Sequence, residues 1–315
     1  MRTNLLVILT VTFFSFTINS QAQFLFDEDE QINLSGEFVE NSTLNNLKDH
    51  VKQVTVFVYD ADEINGKPEK TGYYYRKTPG EIYVYDKNGN NISYHAITDS
   101  LDFSEQEKLE DYKFEYNKDS KPVKKITNDL KSPESNYSNT IELYEYDDEG
   151  RISSYTCLRK NKELLYTKSY KYDKNSGFLS KYKTKNPGNK TKIKLEYTTI
   201  ENAGLTCTIF RNNKADDILI YDNQGRLVER RESHSKIISR SPLRTKSYYD
   251  KIIYTYNERG DIVKKEKISG KLLSSDNYIR TYQYTYDKKS NWIKKLSFKD
   301  GNIYSIEERE IEYYE

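Results

Sequence analysis

YEYDDEGRI, residues 144–152, decides the fold. Side chains alternate faces along a strand, so Tyr144 and Tyr146 share one face and Glu145 takes the other. Asp147 then opens a turn, where its carboxylate accepts from the backbone two residues on. Gly150 stands three residues after Asp147, where a type I turn followed by a left-handed bulge residue selects glycine. Ile152 begins the return strand. The nine residues therefore specify a β-hairpin.

The phrase recurs along the chain. FVYDADEINGK (57–67), YVYDKNGNNI (83–92), FEYNKDSKPV (114–123) and YKYDKNSGFL (170–179) repeat it. LIYDNQGRLV (219–228), YTYNERGDIV (254–263) and YTYDKKSNWI (284–293) follow. LEYTTIENAGL (195–205) is a weaker copy, and IEYYE (311–315) closes the chain. The anchors are Tyr59, Tyr85, Tyr116, Tyr146, Tyr172, Tyr197, Tyr221, Tyr256, Tyr286 and Tyr313. Their mean spacing, about 28 residues, lies in the range of repeat architectures. Gly89, Gly150, Gly225 and Gly260 occupy the bulge position, and Ile152, Leu227, Ile262 and Ile293 start return strands. Flanking stripes such as Tyr282, Tyr284 and Tyr286 have the period of two of a strand. The expected fold is all-β: about nine tandem antiparallel hairpins in an extended, curved and twisted sheet strip. A closed barrel or a propeller is the alternative. A propeller needs about four strands per blade, which the uneven spacing disfavours.

The chain has 315 residues, 50 Lys+Arg, 49 Asp+Glu and 30 Tyr. Its mean hydropathy of -0.93 excludes a polytopic membrane protein. Balanced charge argues against a general nucleic-acid binder, which needs excess base to displace counterions from phosphate. Recurrent tyrosine and β-branched residues argue against disorder. Arg2, the apolar stretch Leu5–Ile18, and small residues at Ser20 and Ala22 specify a signal peptide over 1–22. Residues 23–53 form an acidic leader or cap with Asp27, Glu28, Asp29, Glu30, Glu37 and Glu40, and 54–315 form one repeat domain. The expected location is secreted or periplasmic, with no membrane span once the signal is removed. Cys157 and Cys207 are free to bridge in an oxidising compartment, and their spacing does not decide whether they do.

In the phrase Y-x-Y-D-x-x-G-R-L, seen as YEYDDEGRI and IYDNQGRLV, the chain resembles the YD repeat of RHS-type proteins from about Tyr59 to Glu315. The resemblance implies an extracytoplasmic β-repeat protein. In large members of that family the repeats wind into a strip that forms a shell around a toxin domain. This chain is short, its repeat is longer than the family's unit, and its repeats run to the last residue.

No catalytic motif is present, and no cofactor is expected. His50, His95 and His234 lack a second ligand at zinc spacing. Asp147-Asp148-Glu149 reads as a turn, not a calcium loop. Paired basic residues after the turns, such as Lys124-Lys125 and Lys294-Lys295, read as a solvated face. The longest repeat step contains residues 226–246, expected to be a long loop. Its bases Arg230, Arg231, Lys236, Arg240, Arg244 and Lys246 are the candidate partner-binding residues, because long loops on rigid scaffolds often carry function. The expected function is a non-catalytic binding or scaffold module for an extracellular or periplasmic protein or polysaccharide. A shell, accessory or immunity component of a toxin system is the alternative, and a glycoside-acting hydrolase a third.

Overall fold

Strand-forming phrases and glycine-bearing turns alternate along the computed structural model as they do in the sequence. It describes residues 47–73, 80–97, 110–129, 139–200, 204–211, 214–240, 243–271 and 276–315. The signal segment and the acidic leader lie outside the described residues. Among the described residues there are nineteen strands and no helix long and apolar enough to cross a membrane.

The strands are β1 (Val51–Ile64), β2 (Lys67–Tyr73), β3 (Gly80–Tyr85), β4 (Asn91–Ile97), β5 (Glu110–Tyr116) and β6 (Pro122–Asp129). Next come β7 (Thr140–Tyr146), β8 (Ile152–Arg159), β9 (Leu164–Tyr172), β10 (Leu179–Asn186), β11 (Asn189–Ile200) and β12 (Gly204–Arg211). The chain continues through β13 (Lys214–Tyr221), β14 (Leu227–Arg240), β15 (Leu243–Tyr256), β16 (Ile262–Ile268), β17 (Tyr278–Tyr286), β18 (Trp292–Lys299) and β19 (Asn302–Tyr313). From β3 to β19 each strand pairs antiparallel with the next.

The ends of this ladder meet. β1 pairs with β19 from Val51↔Tyr313 to Asp60↔Ser305, and with β3 from Gln53↔Val84 to Phe57↔Gly80. The open strip expected from the sequence is therefore replaced by a barrel-shaped sheet, the expected alternative. Closure satisfies the backbone groups that a free edge strand leaves unpaired. β2 stands outside the circuit and pairs with the distal half of β1. Tyr59 and Asp60 do not open a turn. β1 runs on to Ile64, and the turn is Asn65-Gly66, both with positive φ, as a two-residue hairpin loop requires.

One face of the sheet is buried and the closed ring turns it inward. Its apolar residues form three clusters along the wall. One centres on Tyr144, Ile152, Leu179, Cys207, Leu219 and Tyr221, another on Val54, Val56, Tyr83 and Tyr85, and a third on Ala61, Ile303 and Ile306. Gln283 and Thr285, between the tyrosines of β17, are exposed, as the period of two requires. Cys157 on β8 and Cys207 on β12 are both buried and free. Four strand spacings separate them, roughly 19 Å, far beyond disulfide reach. Burial pushes the Cys157 thiol up to about 11, so it is not a reactive thiolate.

Candidate functional site

The motif residues meet at one rim. Every described YD turn joins an odd-numbered strand to the next even one (β3–β4, β5–β6, β7–β8, β9–β10, β13–β14, β15–β16 and β17–β18), so all of them lie at the same end of the sheet. The turn chemistry matches the expectation. Asp147 Oδ1 accepts from the Arg151 amide at 2.8 Å, and Asp222 Oδ1 accepts from the amides of Gln224 and Arg226 at 2.9 Å each. Gly89, Gly150, Gly225 and Gly260 have φ of 83°, 76°, 77° and 88°. Ser120 and Ser290 take the same left-handed position in the copies without glycine. In the last hairpin the return strand begins at Trp292, one residue before the expected Ile293.

The anchor tyrosines do more than pack. Four of the hydroxyls reach back to the carbonyl where the preceding repeat leaves its turn. Tyr116 donates to Asn91 O, Tyr146 to Pro122 O and Tyr172 to Ile152 O, each at 2.6 Å, and Tyr256 donates to Leu227 O at 2.7 Å. The base that ends the turn lies over the next anchor ring. Lys121 is 5.4 Å from the Tyr146 centroid, Arg151 is 4.4 Å from Tyr172, and Arg226 is 4.9 Å from Tyr256. Arg151 and Arg226 also bridge back to their own Asp147 and Asp222 at 2.7 Å. The phrase Y-D-x-x-G-R is thus a staple between consecutive repeats.

The same device closes the ring. Tyr313 bonds Asp287 Oδ2 and the Asn291 amide, Asn291 exchanges hydrogen bonds with the backbone of Lys48, and Tyr314 donates to Tyr85 O.

Tyr286 instead donates to Asp261 Oδ2 at 2.7 Å, and Tyr221 makes no such bond. Tyr221 is fully buried, and its hydroxyl has no hydrogen-bond partner among the described residues. The copy before it, LEYTTIENAGL, has no aspartate or asparagine after its tyrosine, and its turn at 201–203 lies outside the described residues. We expect Tyr172→Phe to lose about 1 kcal/mol of unfolding free energy, the usual net value of one hydrogen bond. Tyr221→Phe removes an unpaired buried hydroxyl and is expected to be neutral or stabilising by about 1 kcal/mol. Urea denaturation of both variants reads the difference.

The basic pairs after the turns split between faces. Lys124 points outward to Glu115 at 2.8 Å, while Lys125 lies 4.4 Å over the Tyr112 ring. Lys294 bridges Glu308 outside, while Lys295 pairs with Glu307 and covers Tyr282 and Trp292. The expected solvated face is therefore only half of each pair. The inward residue is the ninth after the anchor in most repeats: Tyr94, Lys125, Tyr155, Arg230, Lys265 and Lys295. They form part of a half-buried belt of rings and charges. Arg309 belongs to it, stacked 3.2 Å over Trp292, with burial lowering its pKa to about 10.

The belt is densest beside β14. Arg230 bridges Asp217 at 2.9 Å and Glu232 at 3.2 Å. His234 Nε2 lies 3.5 Å from Asp250 Oδ2 and 3.9 Å from Glu232, with its ring stacked on Tyr248. Asp250 accepts from Ser269 Oγ and the Gly270 amide, and pairs with Lys267 at 3.2 Å. Sequence reading found neither Asp250 nor Asp217, because nothing local marks them. No cluster of three metal-ligating side chains occurs among the described residues.

The basic stretch 226–246 is not a loop. It forms β14 and the start of β15, paired from Glu229↔Ile253 to Arg240↔Leu243. β13 follows β14 only as far as Glu232, and β16 follows β15 only from Lys251, so the distal part projects past its neighbours. Arg230 is held inside by Asp217, and Arg231 bridges Glu229 at 2.6 Å outside. Lys236 and Lys246 face each other in register on the projecting part, with Arg240 and Arg244 near its tip. The six candidate residues are thus divided between the wall and the arm.

The fold and this geometry define an antiparallel β-repeat sheet closed into a barrel shape. No protein-family model matches the chain, and no curated protein does. Among solved structures, a porin-like protein from Bacteroides uniformis is similar over 84% of this chain and 98% of its own, at 12% identity and a TM-score of 0.41. TcdB2-TccC3 without its hypervariable C-terminal region is similar over 68% of this chain, at 12% identity and a TM-score of 0.27. TcdB2-TccC3-Cdc42 is similar over 74%, at 10% identity and a TM-score of 0.28. These matches span 12% and 15% of the two toxin-complex chains.

Proposed function

We propose that the protein is an exported, non-catalytic binding or scaffold module of the cell envelope or the extracellular space. One observation carries this reading: the recurring motif residues are engaged in stapling repeat to repeat at one rim. The motif therefore serves the wall, and the surfaces that vary between repeats are left for partners. Stacked repeats commonly present extended binding surfaces in this way. The outward rows support a water-facing wall, since they carry Lys113, Glu115, Lys124, Glu145, Lys264, Lys294 and Glu308, where a lipid-facing barrel needs an apolar band.

The test is affinity capture by the tagged protein from its own envelope extract, with mass spectrometry and glycan analysis of what is retained. One dominant protein or polysaccharide is the expected result. A neighbouring toxin protein in that fraction would select the accessory role within the same reading. An empty fraction, together with turnover of a glycoside panel, would replace the binding reading with a hydrolase.

A further inference from the structure

Arg280, on the inner face of β17, is a cation with no carboxylate beside it. Its row in the sheet reads Tyr254–Lys265–Arg280–Lys299–Asn302 across β15 to β19, three bases and no acid. The guanidinium lies against tyrosine rings instead, 4.8 Å from the Tyr278 centroid and 5.7 Å from that of Tyr304. Its Nε is buried and has no hydrogen-bond acceptor among the described residues. Lys299, opposite Arg280 in register, is 6.0 Å from the Tyr278 centroid and likewise makes no ion pair among the described residues.

Other inward bases meet acids. Lys125 stands opposite Glu142, Lys295 pairs with Glu307, Arg230 pairs with Asp217 and Glu232, and Lys267 pairs with Asp250. On the outer face the like-charge register Arg231↔Lys251 is bridged by Glu229, at 2.6 and 2.8 Å. Asp300, next to Lys299 in the β18–β19 turn, accepts from the Ile279 amide at 2.8 Å. A buried donor without an acceptor and like charges facing each other both cost stability. A bound oxyanion relieves both.

We propose that Arg280 and Lys299 hold the carboxylate or phosphate group of a small organic acid built on a flat ring. The inference goes beyond the macromolecular partner proposed above and stands without it. Facing residues in a sheet have Cβ atoms ~5 Å apart, so one oxyanion can take a hydrogen bond from each. With tyrosine rings against its faces, the planar guanidinium offers its N–H edge, which matches a carboxylate or phosphate in a two-bond fork. Tyr278 and Tyr282 flank Arg280 on the same face of β17, and with Tyr304 they are half-buried. A flat ring joined to the oxyanion meets these rings face-on or edge-on, a contact that adds to simple burial. Two cations match one small anion, whereas a nucleic-acid strand takes many. Lys299 is exposed and ends β18 at the rim opposite the YD turns, so the site lies at the mouth of the ring.

The test is a ligand-observed NMR titration of the full protein with benzoate and with phenyl phosphate, at about pH 7 and about 0.1 M salt. Benzyl alcohol, acetate, inorganic phosphate and galacturonate are run beside them. We expect at least one of the two ring acids to bind, which names the oxyanion, and the neutral alcohol not to bind. The bare anions and galacturonate should bind about tenfold more weakly or less, for want of the ring contact. Arg280→Gln should weaken binding about tenfold or more, and Lys299→Gln about threefold to tenfold. Arg280→Lys keeps the charge, loses the fork, and should fall between wild type and Arg280→Gln. Lys288→Gln removes the same charge from a YD turn and should leave binding within about twofold.

Binding of neither ring acid would overturn the site. Equal losses in Lys288→Gln and Arg280→Gln would overturn the assignment to these residues. Acetate, inorganic phosphate or galacturonate binding as tightly as the ring acids would overturn the ligand class. If Arg280→Gln does not fold, Lys299→Gln decides, because its side chain is exposed; unchanged binding in that variant would overturn the proposal.

Discussion

Gly204→Ala is expected to destabilise the protein by about 3–5 kcal/mol, enough to prevent folding if its margin is ordinary. Gly204 is the first residue of β12, with φ of 95°. A methyl group there would lie 2.0 Å from the carbonyl oxygen of Tyr221 and 2.6 Å from the carbonyl carbon of Asp222. Both are backbone atoms of the neighbouring strand and its turn, so no side chain can move aside. The cost combines a left-handed conformation that alanine resists with an overpacked contact. Gly66→Ala separates the two. It has φ of 75° and open space around the added carbon, so only the conformational part remains, about 1 kcal/mol. Urea midpoints of the two variants measure the clash by difference. Equal small losses would show that the β12–β13 contact yields.

Asp250→Ala is expected to cost about 2–3 kcal/mol at pH 7, a value reduced from that of a fully buried pair because Lys267 is partly exposed. The carboxylate is buried and holds four groups together: Ser269, the Gly270 amide, Lys267 and His234. Burial pushes its pKa up, but the Ser269 hydroxyl, the Gly270 amide and the Lys267 ammonium outweigh it and hold the group below its ordinary value. A depressed carboxylate contributes stability above its unfolded pKa of about 3.9, and that contribution is lost as pH falls through the folded value. The difference between wild type and variant should therefore be constant from pH 7 to about 5 and shrink below about 4. Denaturation at pH 7, 5 and 3 reads it. A gap that persists at pH 3 would place the loss in packing and not in charge.

Several elements were legible because they are local. YEYDDEGRI contains its strand alternation, its Asx turn and its left-handed residue within nine positions, and all three occur where the sequence puts them. The first repeat misled because FVYDADEINGK contains a better turn, Asn65-Gly66, than the one its aspartate offered. The 226–246 stretch misled because charge and length suggested a loop, while its Leu, Val, Ile and Thr residues belong to two long paired strands. Of the candidate bases, Arg230 proved to be a wall residue, because Asp217 on the neighbouring strand holds it.

Most of the hairpins and their turn chemistry were legible from residues a few positions apart, whereas the shared rim of the turns follows from the order in which the strands pair. The three-dimensional packing was needed to establish that the ladder closes, that anchor hydroxyls such as Tyr172 grip the repeat before them, and that inward charges are paired across strands. Those outcomes depend on contacts between residues 12 to about 260 positions apart. Sheet curvature accumulates from small twists over all the strands, and no local phrase records the sum.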